Sequence, residues 1–110
     1  MPAAKLHKLV WFVPREALEQ TRAAVFDAGG GRIGDYTRCS WYTAGTGTFL
    51  AGEGADPTIG TVGKEERVAE LRVETVVRAE DAGDVVRALI AAHPYEEVAY
   101  ELYPLVDVDA

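Results

Sequence analysis

The chain has 110 residues, 48% of them hydrophobic and 26% charged, with 11 glycines and 5 prolines. That is the composition of a single domain spanning residues 1–110, long enough to bury a core of its own, and it excludes collagen-like, low-complexity and disordered chains. Eighteen acidic against eleven basic residues give a formal charge of −7, which disfavours nucleic acid and anionic membranes, and the lone Cys39 excludes an intrachain disulfide, a four-cysteine zinc site and a CxxC motif.

In chain order, Leu6 to Val13 reads as a strand that is apolar on both faces, with Leu9, Trp11 and Val13 on one side and Val10 and Phe12 on the other. Pro14, Arg15 and Glu16 end this run before it could serve as a signal segment, and no stretch reaches the roughly 20 apolar residues of a membrane helix. A cytoplasmic setting is expected. Pro14 suits the first turn of a helix carrying Leu18, Thr21, Val25 and Ala28 at helical spacing, which Gly29, Gly30 and Gly31 terminate.

Tyr36 to Tyr42 reads as a second strand, followed by a glycine-punctuated loop or hairpin over residues 43–63. Lys64 to Arg78 alternates, with Ala69, Leu71, Val73, Thr75 and Val77 opposite Glu70, Arg72 and Glu74, as in a long half-buried strand. Asp81 is placed to cap a second helix, with Asp84 three residues on and Ala82, Val85, Val86, Leu89 and Ile90 as its apolar stripe. Pro94 disfavours further helix, and Val98 to Leu105 reads as the last strand.

The order strand, helix, strand, strand, helix, strand predicts an α+β ferredoxin-like βαββαβ sandwich, with a glycine-rich hairpin or loop insert between the second and third main strands. Helices in that fold cover one sheet face only. A first strand apolar on both sides would leave an apolar face bare, which points to self-association.

His93-Pro94-Tyr95-Glu96-Glu97 groups an imidazole, a phenol and two carboxylates. One reading is a metal site using His93, Glu96 and Glu97 for copper or another divalent cation; the other is a helix stop, in which a C-terminal histidine supports the helix dipole before Pro94 turns the chain. Gly45-Thr46-Gly47 could offer N–H groups to an anion, but its spacing matches neither a Walker loop nor a dinucleotide fingerprint, and hairpin glycines explain it as well. Cys39 reads as an inert thiol, because its only possible bases are His7 and His93.

Three ordered blocks, GDYTRCSWYTAGTGTF, GADPTIGTVGKEERVAELRVE and HPYEEVAYELYPL, resemble the insert domain of the YqfO, or Nif-three-like, proteins, also named GTP cyclohydrolase type-two-like. The HPYE segment after a long acidic strand and a helix is similar to the CutA cation-tolerance proteins, and both resemble the trimeric PII-like group. The resemblance implies a ferredoxin-like fold, a homotrimer and a binding or regulatory role; from CutA it implies His93 and Glu96 as counterparts of a segment associated with copper. The family's dinuclear metal centre belongs to flanking regions, so it is not expected in a stand-alone chain of this sequence, which has two histidines.

The expectation is a homotrimeric, non-catalytic binding or regulatory module with intersubunit ligand clefts. The alternatives are a copper or divalent-cation binder and a cofactor-free acid–base enzyme using His93 and Tyr95. No catalytic residue is assigned, because no nucleophile, base and oxyanion site assemble in the sequence.

Overall fold

The alternation of the first strand has the expected consequence in a computed structural model, which describes residues 5–108. β1 (Leu6–Val13) sends Leu9, Trp11 and Val13 into the core, each fully buried. A single 3-10 turn at Arg15–Ala17 leads into α1 (Leu18–Asp27), which buries Leu18, Thr21, Val25 and Phe26. β2 (Ser40–Leu50) and β3 (Glu65–Arg78) form a long hairpin, and α2 (Ala82–Ala92) and β4 (Tyr100–Pro104) complete the chain. The antiparallel sheet runs β2-β3-β1-β4, the ferredoxin-like order. Among the described residues no helix is long and apolar enough to cross a membrane.

The core lies between the two helices and one sheet face. Leu71, Val73 and Val77 of β3 join Leu9, Trp11 and Val13, and Val85 and Leu89 of α2 close over them. Trp11 also satisfies its polar edge: its indole N–H donates to the Thr21 hydroxyl at 3.1 Å, which in turn donates to the Ala17 and Leu18 carbonyls at 3.0 Å. A buried indole N–H without that partner would carry its full desolvation cost.

The second sheet face differs from the bare apolar surface expected of it. Val10 lies there but is only 1% exposed. Register sets Glu74 and Glu101 across from it, Glu74 pairs with Lys8 and Arg72, and the Arg72 guanidinium sits 5.6 Å from the Phe12 ring centroid. Long charged side chains thus shield the apolar residues beneath them. The exposed large apolar residues gather instead toward the two open edges: Trp41, Tyr42 and Leu50 on β2, Tyr100 and Tyr103 on β4, and Leu105 beyond it.

Three local expectations change. The second strand begins at Ser40, and Tyr36 makes only an isolated bridge to Ile33, because Gly34, at φ +56°, turns the chain between those two and Arg38, at φ 58°, turns it again before Ser40. Asp81 does not cap α2: its carboxylate is taken by the Arg78 guanidinium at 3.0 Å, while Asp84 pairs with Arg87. Ile90 is 45% exposed and lies off the buried stripe of α2.

Candidate functional site

β3 runs well past β1, which pairs only with Leu71–Arg78, so Glu65 to Glu70 form an arm shared with β2 alone. Gly45 and Gly47 lie inside this arm, paired with Glu70 and Val68, and not in a loop. Their backbone groups face a strand partner, and a carboxylate stands beside them. A Cβ on Gly47 would collide with the Glu70 carboxylate, so the glycine makes the room that the acid occupies. An anion-cradling loop is therefore not what this glycine run builds.

Residues 51–64 connect the arm and fold back onto the His93–Glu97 segment. The Asp56 N–H donates to the Glu96 carboxylate at 2.8 Å, and the Thr58 hydroxyl donates to the Pro94 carbonyl at 3.2 Å. Between arm, tip and segment lies a cavity of about 290 Å³, walled by Phe49, Ala51, Pro57, Ile59 and Val68, with Thr48, Thr58, Tyr95 and the three glutamates Glu70, Glu96 and Glu97 also in its lining. That volume is at the small end of the roughly 300–1,000 Å³ typical of small-molecule sites. The Tyr95 hydroxyl is fully buried and finds no hydrogen-bond partner among the described residues. Burial raises its pKa, helped by the nearby negative charges of Glu70 and Glu16, and burial likewise raises that of Glu70.

His93 is 7% exposed and uses both ring nitrogens. Nε2 lies 2.7 Å from the Phe12 carbonyl and must be the protonated nitrogen, since Nδ1 accepts the Tyr95 N–H at 3.1 Å. Burial lowers its pKa below the ordinary 6.5, against the opposing pull of the Phe12 carbonyl. A neutral imidazole pinning β1 to the loop therefore replaces the charged dipole partner. A cation coordinated by His93 would have to take one nitrogen from these bonds. Glu96 already holds the Asp56 N–H, Glu97 is exposed, and among the described residues no three His, Cys, Asp or Glu side chains come together as a metal site.

Tyr95 packs edge-on against His93, with ring centroids 5.0 Å apart, while both imidazole nitrogens are occupied by backbone partners. Cys39 directs its thiol toward the Thr37 carbonyl at 3.9 Å, and His7 lies opposite Val77 and Pro104 on β1, so neither joins the cavity. The sequence reading missed Glu70 as a residue of the cavity lining. The available signal was Glu70 facing a glycine across a hairpin, which leaves a carboxylate beside open backbone.

No family model matches the chain. Curated relatives named GTP cyclohydrolase 1 type 2 homolog do: that of Mycobacterium tuberculosis is 59% identical over 104 residues, covering 94% of this chain and 27% of the relative. The Bacillus subtilis protein of the same name is 47% identical over 105 residues, 96% of this chain and 28% of its own length. A Bacillus cereus protein related to NIF3 superimposes with a TM-score of 0.84 at 44% identity, over 97% of this chain and 27% of that one. The chain thus spans about a quarter of the length of these relatives. CutA from Archaeoglobus fulgidus gives a TM-score of 0.67 at 15% identity, covering 94% and 86%, and Bacillus subtilis GlnK, solved with ATP, gives 0.63 at 10%, covering 96% and 85%. These two show a shared fold. Over nearly its whole length this chain is therefore related to one segment of the Nif-three-like, or YqfO, proteins, and that segment carries the ferredoxin-like fold of CutA and PII-like proteins.

Proposed function

We propose that the chain is a small homotrimeric binding or regulatory module, not itself catalytic, whose ligand enters the cavity between the hairpin arm and the His93–Glu97 segment. The observation that carries this reading is the clasp itself. Two hydrogen bonds, Asp56 to Glu96 and Thr58 to Pro94, join the hairpin tip to the segment anchored by His93, so a ligand between them acts on both walls at once. Support for self-association comes from two open sheet edges carrying exposed Trp41, Tyr42, Tyr100 and Tyr103. The fold shared with CutA and GlnK supports the same assembly. The name borne by the longer relatives is a homology label, which by itself assigns no activity to this chain.

The rival reading is a copper or other divalent-cation site at His93, Glu96 and Glu97. A thermal-shift screen of metal-free protein against nucleotides, bicarbonate, amino acids, amines and divalent ions tests both. A ligand present at a hundredfold its dissociation constant stabilises the fold by about 2.7 kcal/mol. The module reading expects an organic ligand to raise the melting temperature and expects no copper response that His93→Ala abolishes. Copper as the sole stabilising ligand, lost in His93→Ala, would transfer the site to the metal.

A further inference from the structure

We propose that residues 52–60 form a strap that builds the cavity only while it is latched to the His93–Glu97 segment, so that closing the strap and filling the cavity are coupled. This rests on the reading of the cavity as a ligand site and adds how that site is opened and closed. Ala55, Pro57, Thr58 and Ile59 of the lining come from the strap. With the strap lifted, Phe49 and Val68 on the arm and Tyr95 and Ala99 beyond α2 lose the wall that faces them, and what remains is open surface.

Little holds the strap down. It contains no helix or strand, none of its residues is buried, and only Ala55, Pro57 and Ile59 are half-buried. Among the described residues its hydrogen bonds to the rest of the chain are two, both exposed: the Asp56 N–H to the Glu96 carboxylate and the Thr58 hydroxyl to the Pro94 carbonyl. Bonds of that kind exchange with water at modest net gain, and they offset the backbone entropy of the strap only narrowly. The base beneath it is firmer. Ala51 bridges Val62, the Gly63 N–H donates to the Ala51 carbonyl at 2.9 Å, and Gly60 and Gly63 take φ +88° and +82°, where other residues are strained. Pro57, whose ring fixes φ, stands between the two latching residues, so Asp56 and Thr58 reach and leave the segment together. No residue of the strap belongs to the core, so opening disturbs nothing packed beneath the helices. A ligand that touches strap and arm at once favours the closed form by linkage.

Amide hydrogen exchange of the full chain, followed by NMR at pH 7, tests the latch before any ligand is known. Relative to its intrinsic rate, the Asp56 amide should exchange about a hundredfold or more faster than that of Val73 in the middle of the sheet. Thr58→Val removes the other bond of the latch and is too far along the chain to alter the intrinsic rate of Asp56. It should nevertheless speed Asp56 exchange by about two- to tenfold, the worth of one ordinary hydrogen bond, while Gly63 at the base and Val73 keep their native rates. Val73 thereby controls for folding. An Asp56 amide as slow as Val73, or one that Thr58→Val leaves unchanged, would overturn the strap. The exchange is then repeated with each nucleotide, amino acid, amine and bicarbonate of the thermal-shift screen. A compound that binds the cavity, at a hundredfold its dissociation constant, should slow Asp56 exchange by about a hundredfold. Binding that leaves Asp56 exchange unchanged would overturn the coupling. If no compound binds, the ligand-site reading falls and the coupling with it, whatever the latch itself shows.

Discussion

Trp11→Ala is expected to remove about 3–5 kcal/mol of folding stability, the usual cost of truncating a buried aromatic residue to alanine. Trp11 is fully buried in the middle of β1, where α1, β3 and α2 converge, and its loss opens a cavity that packed neighbours cannot fill. For a domain of this size each kcal/mol is worth roughly 4–8 °C in melting temperature, so the variant should melt far below the native chain. Trp11→Phe separates packing from polarity. It keeps most of the buried area but loses the N–H bond to Thr21, and should cost on the order of 1 kcal/mol for that bond plus a small cavity term. Urea or thermal unfolding by circular dichroism measures both. A Trp11→Ala variant melting within a few degrees of native would mean that the core does not depend on β1.

Acidification should destabilise the protein through His93. Its folded-state pKa lies below the ordinary 6.5, so the folded chain binds that proton less readily than the unfolded chain does. The stabilisation is therefore complete above about pH 6.5 and is lost as the pH falls from there through the folded value. A charged dipole partner would show the opposite sign. His93→Ala leaves the Phe12 carbonyl and the Tyr95 N–H unpaired, at about 1–3 kcal/mol for each buried group. Urea unfolding at pH 7.5 and 5.5 should show native stability falling between them by more than in His93→Ala. Taking that difference matters because Glu70, with a raised pKa, is stabilised by protonation and pulls the native curve the other way at lower pH. Native protein more stable at pH 5.5 than the variant's own change allows would contradict the neutral, doubly bonded imidazole.

What the sequence carried and what it did not divide along a physical line. Alternation marks β1 and β3 because burial repeats every second residue, and Leu9, Trp11, Val13, Leu71, Val73 and Val77 all face the core as their spacing implies. The order of elements then permits few topologies, and the sheet takes the expected one. Gly45 and Gly47 mislead because glycine signals turns wherever it appears, whereas here it serves a strand whose neighbour needs the space. Asp81 misleads because Arg78, three residues earlier, competes for its carboxylate. The candidate site was half legible. HPYEE announces itself, but its roles as anchor and clasp depend on Phe12 and Asp56, which lie 81 and 40 residues away in the chain from the side chains they meet. Nothing local records that Glu70 and Tyr95 share a cavity; only the return of residues 51–64 onto the segment creates it.

Self-association is the part of the proposal on which the exposed edge residues bear most directly. Burying edge and face residues such as Trp41, Tyr42, Tyr100 and Tyr103 supplies roughly 25 cal/mol per Å² before the costs of association are subtracted. Static light scattering coupled to size-exclusion chromatography at micromolar concentration measures the outcome directly. The expected result is a single species with the mass of three chains, which Trp41→Asp or Tyr100→Asp shifts toward smaller species without unfolding them. A native protein that stays at the mass of one chain across that range would contradict the trimer.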